Sequence, residues 1–434
     1  MKKISWRQIL LLSLIPLGGE MLWAIYNSYV PLYLQAGSEL FHSDTIAKGF
    51  ALGPFLTSFI LTIDNIANLI ISPFIGSLSD RPNRKGERRM PYLRWLVPIA
   101  ALGSIGIPFT AMLLYTDMAY GLVLFLFMAS LMTVCIAWSS VGVLVTALRW
   151  DVVPPSQRSR VQAWVLIIAS VGNVCIALIG AKFFSVYQPL IFIIVAAVLI
   201  IAVVLVSCFH REPKIPVESS EVKTGLRETI REIRGKGAAY KKELAFFCIA
   251  ALCYQLGIST QQAQITSYYV SYMHIEEGMA GLMSISVFFI SVFMAIPVSM
   301  VAAKLGLKNA IRLGMLISIL LYIAMFFVSE MWMLYMFIPF SGISTCLMIV
   351  NMPPLTANVS PSDRHLGAFV SLITILFTIG NIIGPTLSGG LIQFVFGSNY
   401  RYMWLISAAC LLLGFITLSQ VKTIERSGSS LDLS

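Results

Sequence analysis

Twelve long apolar stretches run through this chain, at approximately 9–34, 49–75, 92–115, 119–148, 161–186, 189–209, 244–273, 279–303, 310–328, 331–355, 367–396 and 402–418. About 20 such residues are needed to cross a hydrocarbon core roughly 30 Å thick. In lipid each backbone N–H and C=O has to be satisfied inside the segment, which single runs of this length achieve only as helices. The pattern therefore predicts an all-α membrane protein with twelve transmembrane helices. A charged fraction of 12%, with 58% hydrophobic residues, fits that class; an ordinary soluble domain carries about 25% charge.

The net charge of +10 raises the question of a nucleic-acid partner, and the placement of the basic residues answers it. With both termini on the same side, 27 of the 30 Lys and Arg residues fall on that side, leaving Lys48, Lys182 and Arg401 on the other. Such asymmetry is the positive-inside pattern. It predicts a multi-pass protein of the cell membrane with both termini cytoplasmic, and basicity that serves topology rather than nucleic acid. Met1 to Gly19 imitates a signal peptide, but the apolar run continues to Leu34 without a small-residue cleavage site, so a retained first helix is expected. The seven cysteines (135, 175, 208, 248, 253, 346 and 410) have no metal-ligand spacing. They read as packing residues without disulfides. No nucleophile–base pair, phosphate loop or metal cluster stands out, so neither an enzyme nor a cofactor is expected.

The one long polar connection, 211–242, carries 9 Lys and Arg and divides the chain into six-helix halves, 1–210 and 243–434. It is expected to lie solvated against anionic headgroups. Weak internal repetition supports two pseudo-symmetric halves. Pro155, Ser156 and Arg158 recur as Pro361, Ser362 and Arg364, and Tyr29-Val30-Pro31-Leu32-Tyr33 has a counterpart in Tyr269-Val270-Ser271-Tyr272-Met273.

Between the second and third segments stands DNIANLIISPFIGSLSDRPNRKGERRMPY, from Asp64 to Tyr92. A charge at the bilayer centre costs about 2.5 to 3.5 kcal/mol on insertion scales, so Asp64 is expected to meet a partner, a proton or a cavity. The following turn, with Gly76, Asp80, Arg81, Gly86, Arg88 and Arg89, resembles the major facilitator superfamily, whose loop between helices 2 and 3 reads G-x-x-x-D-R before a glycine and paired basic residues. The longer form, Ser79 to Arg81 then Gly86, Arg88, Arg89, Pro91 and Tyr92, resembles the glycoside-pentoside-hexuronide cation symporters, in particular their sucrose and alpha-glucoside branch. Glu87 stands where members carry a basic residue. The resemblance implies two six-helix halves working by alternating access around a midplane site. It also implies a cytoplasmic gate in which Asp80 latches toward the opposite half, amid ion pairs of Arg81, Arg88, Arg89, Asp151 and Arg158.

Candidate site residues follow from polar positions in apolar spans. Glu20, Trp23 and Asn27 share a face of the first segment, where a carboxylate, an indole and an amide suit a sugar's hydroxyls and ring face. Trp138 adds a second aromatic plane. Asp64, Asn68 and Ser72 follow at one-turn spacing. In the melibiose-type relatives paired acids hold a cation on the corresponding stripe; here Asn68 and Ser72 occupy those places, which favours protons over sodium, carried by Asp64 or Glu20 with Asn68 nearby. The second half offers neutral groups: Gln255, Gln261, Gln262 and Gln264, then Asn351, and Ser371, Thr374, Thr378 and Asn381. Neutral amides suit a hydroxyl-rich solute better than an anion, which would call for Arg or Lys.

The function expected is proton-coupled uptake of a sugar or small glycoside by a monomer in the lipid bilayer. Two rivals stand beside it. A proton-coupled exporter of amphipathic compounds would use the chain's 20 Met and 26 Phe; a transport-dead sensor or assembly factor would make the intramembrane carboxylates dispensable.

Overall fold

The computed structural model describes residues 4–38, 41, 43, 45–79, 89–154, 157–209, 226–361 and 366–421. The described chain is helical: α1 (Trp6–Gln35), α2 (Pro54–Leu61), α3 (Ile63–Ser79), α4 (Met90–Met112), α5 (Tyr120–Val152), α6 (Arg158–Phe183), α7 (Pro189–Phe209), α8 (Leu226–Gly235), α9 (Ala238–Ser267), α10 (Glu277–Leu305), α11 (Leu307–Phe326), α12 (Met331–Val359), α13 (Leu366–Phe394) and α14 (Met403–Ser419). Twelve spans among the described residues are long and apolar enough to cross a membrane.

Local chemistry explains the principal boundaries. The N-terminus of α1 carries a reciprocal cap: Ser5 Oγ accepts from the Gln8 N–H, and the Ser5 N–H donates to Gln8 Oε1 at 3.2 Å. Its far end is closed by the returning chain, as the N–H groups of Phe50, Ala51 and Leu52 donate to the carbonyls of Tyr33, Ala36 and Leu34 at 2.9, 3.0 and 2.7 Å. These bonds satisfy carbonyls that a helix end leaves orphaned. They require two backbones to touch, and Gly49 makes that possible: a Cβ there would stand 2.6 Å from the Ala36 and Tyr33 oxygens.

The second apolar stretch, read from sequence as one run from Gly49, is two helices in the structure. It breaks at Thr62, whose N–H and hydroxyl both turn back to the Phe59 carbonyl, at 3.1 and 2.7 Å. A Thr hydroxyl that competes for a backbone carbonyl bends a helix in this way. The consequence is positional, because Asp64 falls in the first turn of α3.

By contacts the chain forms two compact units. Unit 1 comprises Met1–Pro216 together with Ile265–Ile285, and unit 2 comprises Val217–Gln264 with Ser286–Ser434. Within unit 1, α1 packs on α6 and α7, α4 on α5 and α7, and α3 on α5. Ile9 and Leu12 of α1 close one end of its core with Val153, Val161 and Val165. At the other end aromatic rings accumulate: Tyr29 stacks on Phe184 at 4.1 Å, and Tyr33 lies among Phe127, Phe184 and Phe192.

The segment Ile265–Ile285, from the second half of the sequence, belongs to unit 1 for identifiable reasons. It leaves α9 through a π-helical turn at Tyr268–Tyr272 and reverses at His274, which has a positive φ of 52°. Gln35 Nε2 donates to Ser267 Oγ at 3.1 Å. The start of α10 is seated through glycine: a Cβ at Gly278 would meet the Gly180 oxygen at 2.8 Å, and one at Gly281 would meet the Tyr29 hydroxyl at 2.6 Å. Immediately before them stands Glu277, only 1% exposed. Ser43 Oγ donates to one carboxylate oxygen at 2.5 Å, joined by the Thr45 N–H at 3.1 Å, and Thr45 Oγ1 donates to the other at 2.5 Å.

In unit 2, α11 packs on α12 and α14, and α8 on α13. Hydroxyl hydrogen bonds replace apolar bulk where helices cross: Ser318 Oγ donates to Ser344 Oγ at 2.9 Å and Ser291 Oγ to the Gly342 carbonyl at 2.9 Å. Small residues with hydroxyl bonds are how helices approach closely in lipid, where no hydrophobic force drives them together.

Candidate functional site

Most of α1 is buried, and the positions it leaves open in mid-span are polar. Glu20 and Asn27 are exposed and Trp23 half-exposed, while the flanking Met21, Leu22, Ala24, Ile25 and Tyr26 are buried. A lipid-facing stripe would show the reverse, because a carboxylate in hydrocarbon is expensive. The stripe is therefore a polar, open face along a helix whose middle is otherwise buried. Asn173 of α6 donates to Glu20 Oε2 at 3.2 Å, and its own Oδ1 is buried without a hydrogen-bond partner among the described residues.

Trp138 of α5 stands against the same stretch of α1. A Cβ at Gly19 would lie 1.8 Å from its Cζ2, so the indole rests directly on the α1 backbone and is 8% exposed. Only glycine leaves room for it. Overpacking of a well-packed core costs typically about 1 to 3 kcal/mol. Gly19→Val is therefore expected to push Trp138 off α1 and lower the melting temperature of the purified protein, as read by tryptophan fluorescence on heating. A melting curve superimposable on the wild type would show that the indole has room the packing does not reveal.

Asp64 sits in the first turn of α3. Asn65 Nδ2 donates to its Oδ1 at 2.7 Å, and the Asn65 backbone N–H also bonds the carboxylate. Among the described residues no Lys or Arg pairs with it. Tyr26 of α1 and Cys135 of α5 both lie within electrostatic reach of Asp64. Asn68 is exposed one turn on and accepts from Ser72 Oγ. Among the described residues no three His, Cys, Asp or Glu side chains gather as a metal site.

Unit 2 arranges its amides differently from one another. Gln255 of α9 donates to Asn381 of α13 at 2.6 Å, which brings two candidate ligands together as a pair. Ser259 and Thr260 continue the line by donating to the Gly380 and Gly384 carbonyls at 3.0 and 3.1 Å. Gln261 is buried and Gln262 half-buried. Asn351 is buried, and its Nδ2 donates to the Leu347 carbonyl of its own helix at 2.8 Å.

At the basic end of unit 1, Arg89 donates through Nε to Asp151 at 3.3 Å and also to Ser79 Oγ, tying together the ends of α3, α4 and α5. Gly76 lies in the last turns of α3 and Arg158 begins α6; Asp80, Arg81, Gly86 and Arg88 lie outside the described residues. Sequence reasoning missed Glu277 and Asn173. Glu277 stands at a segment end, where a carboxylate looks solvated, and Asn173 looks like an ordinary span residue.

Comparison with known proteins adds the following. The sequence pattern of the Major Facilitator Superfamily matches residues 247–430, and that of the BT1 family matches residues 45–249. Among proteins of curated function, none matches the chain. Among solved structures, a bacterial homologue of the human lysosomal transporter Spinster, inward-facing and unoccupied, is similar with a TM-score of 0.65 and 15% identity over 97% of this chain and 95% of that one. A peptide transporter is similar with a TM-score of 0.71 and 13% identity, covering 98% of this chain and 97% of that one. A nucleoside transporter follows with 0.70 and 14%, covering 95% and 100%. At these identities the likeness shows the fold.

Proposed function

We propose, from the premise that this chain is a membrane transporter of the major facilitator type, that it couples the uptake of a sugar or small glycoside to protons by alternating access. One observation carries the reading: Asp64, inside a membrane span, is held by hydrogen bonds from Asn65 and has no cationic partner among the described residues. A permanent structural anion in such a place would be paired, because an unpaired buried charge costs several kcal/mol. A carboxylate that takes up and releases a proton needs no counter-ion in its neutral state. Glu20, bonded by Asn173 alone among the described residues, is the second carboxylate of this kind.

For the solute, within unit 1, Trp23 supplies a half-exposed aromatic face, and the exposed Asn27 and Glu20 supply donors and acceptors. This chemistry fits a hydroxyl-rich neutral solute. With both termini cytoplasmic, the Arg89–Asp151 end of unit 1 is the inner end, and its ion pair belongs to the cytoplasmic gate.

The test is external pH in a weakly buffered, de-energised suspension of cells expressing the protein, recorded as individual glycosides are added. Transient alkalinisation with one sugar, absent in Asp64→Asn or Glu20→Gln, is the expected result. Absence of any pH change and of labelled uptake with every sugar, sodium included in the medium, would sink the reading in favour of an exporter of amphipathic compounds.

A further inference from the structure

Residues 265–285 carry their own backbone bonds where the chain turns from α9 into α10. The Met273 and Ile275 N–H groups donate to the Tyr268 and Tyr269 carbonyls at 3.2 and 3.0 Å, and the Ala280 N–H donates to the Glu276 carbonyl at 2.8 Å. Side chains attach this piece to the loop after α1. Glu277 accepts from the hydroxyls of Ser43 and Thr45 and from the Thr45 N–H. The loop is itself braced: the Ile46 N–H donates to Ser43 Oγ at 3.0 Å, and Gln188 Nε2, just ahead of α7, donates to the Thr45 carbonyl at 3.3 Å. A carboxylate that gathers three donors on a braced loop is a firm hold, because hydrogen bonds to a charged acceptor are about twice as strong as neutral ones.

The same docking buries Tyr29 unfavourably. Its ring stacks on Phe184 at 4.1 Å. Its hydroxyl lies against two glycines, Gly180 of α6 and Gly281 of α10, and a Cβ at Gly281 would stand 2.6 Å from the oxygen. Tyr29 is 1% exposed, and its hydroxyl has no hydrogen-bond partner among the described residues. A phenol carries one donor hydrogen and can also accept. Taken from water and left unpaired, such a group disfavours the state that buries it. Gly281 belongs to the docked piece and Gly180 to the body of unit 1, so seating the piece is what closes the phenol in. The Tyr33 hydroxyl, one turn on, is also buried without a partner among the described residues, but its ring packs among Phe127, Phe184 and Phe192, all in the body of unit 1.

We propose that residues 265–285 are a releasable strap set by two opposing side chains: Glu277 clasps it to Ser43 and Thr45, and the unpaired Tyr29 hydroxyl against Gly281 drives it off. Lifting the strap breaks the clasp and lets water reach the phenol. Seating it restores the clasp and dries the phenol. The opposition holds the two positions closer in free energy than the clasp alone would, and a small gap is what allows a minor state to be populated. The role rests on the alternating-access reading above, in which lifting the strap uncovers the aromatic end of unit 1.

The experiment uses the full-length protein in lipid nanodiscs, without solute, and reads hydrogen–deuterium exchange of peptides covering 265–285. Tyr29→Phe keeps the ring on Phe184 and removes the hydroxyl alone. It is expected to slow exchange across 265–285 by about tenfold, because the docked state loses its unpaired group. The sign is the informative part, since removing a hydroxyl that helps to hold the strap would speed exchange. Glu277→Gln is expected to speed it, and Tyr29→Phe combined with Glu277→Gln to return it toward the wild type. Tyr33→Phe, which removes an unpaired hydroxyl from the body of unit 1, leaves 265–285 unchanged.

Exchange in 265–285 that is unchanged or faster in Tyr29→Phe would overturn the proposal. Slowing of the same size in Tyr33→Phe would overturn it too, since the effect would then belong to unit 1 in general. The readout uses neither a sugar nor a proton gradient. A strap slowed by Tyr29→Phe in a protein that moves no proton with any glycoside would leave the opposition standing and remove the sugar reading, while proton-coupled uptake with a strap indifferent to Tyr29 would do the opposite.

Discussion

Replacing Asp64 with Asn is expected to collapse accumulation of the transported solute to about equality across the membrane while leaving its exchange intact. One pH unit supplies about 1.4 kcal/mol per proton, and 100 mV adds about 2.3 kcal/mol per charge. Together they sustain roughly several-hundred-fold accumulation when one proton accompanies each solute. Asn keeps the size and hydrogen-bonding capacity of the side chain but cannot carry the proton, so solute binding and the movement of the loaded carrier remain. The measurement is paired: accumulation under an imposed gradient, and exchange of labelled for unlabelled solute without one. Loss of the first with retention of the second identifies Asp64 as the proton carrier. Loss of both would mean that Asp64 pins α3 structurally, and full retention of the first would transfer the role to Glu20.

The second large effect is expected at Glu277. Glu277→Ala removes an acceptor that satisfies Ser43 Oγ, Thr45 Oγ1 and the Thr45 N–H, all bonded at 2.5 to 3.1 Å. Each buried donor left without a partner costs about 1 to 3 kcal/mol, so docking of residues 265–285 in unit 1 should weaken by about 3 kcal/mol or more. Where those backbone amides exchange by local opening, that energy corresponds to roughly a hundredfold faster exchange. Hydrogen–deuterium exchange of peptides covering 265–285 and 41–50 reads it directly. Glu277→Gln keeps one carbonyl acceptor and should lie between the two. Protection unchanged in Glu277→Ala would mean that the seating of Gly278 and Gly281 on Gly180 and Tyr29 suffices by itself.

These two carboxylates also show how far a sequence can be read. Asp64 was visible because it interrupts an apolar run, and a lone charge there has few explanations. Glu277 was not, because it follows Glu276 at the edge of a span, where acids are commonplace; only the fold reveals that Ser43 and Thr45 enclose it. The amides of α9 were equally visible as polar residues in apolar surroundings. That Gln255 spends its donor on Asn381, while Asn351 bonds its own helix, depends on which faces meet, and periodicity does not specify rotation between neighbouring helices. Thr62 gave no warning of a break, since threonine is common inside membrane helices.

The sequence by itself determined the number of spans and the positions that must avoid lipid, because hydrocarbon penalises each unsatisfied backbone group and each charge locally, residue by residue. Tertiary structure alone decided which polar groups meet: that Trp138 rests on Gly19, that Arg89 joins Asp151 and Ser79, that residues 265–285 pack with unit 1, and that Ser43 and Thr45 enclose Glu277. In lipid, helix association depends on close packing and a few hydrogen bonds rather than on hydrophobic burial. Those contacts are made by glycines, hydroxyls and single amides, whose partners lie tens to hundreds of residues away along the chain.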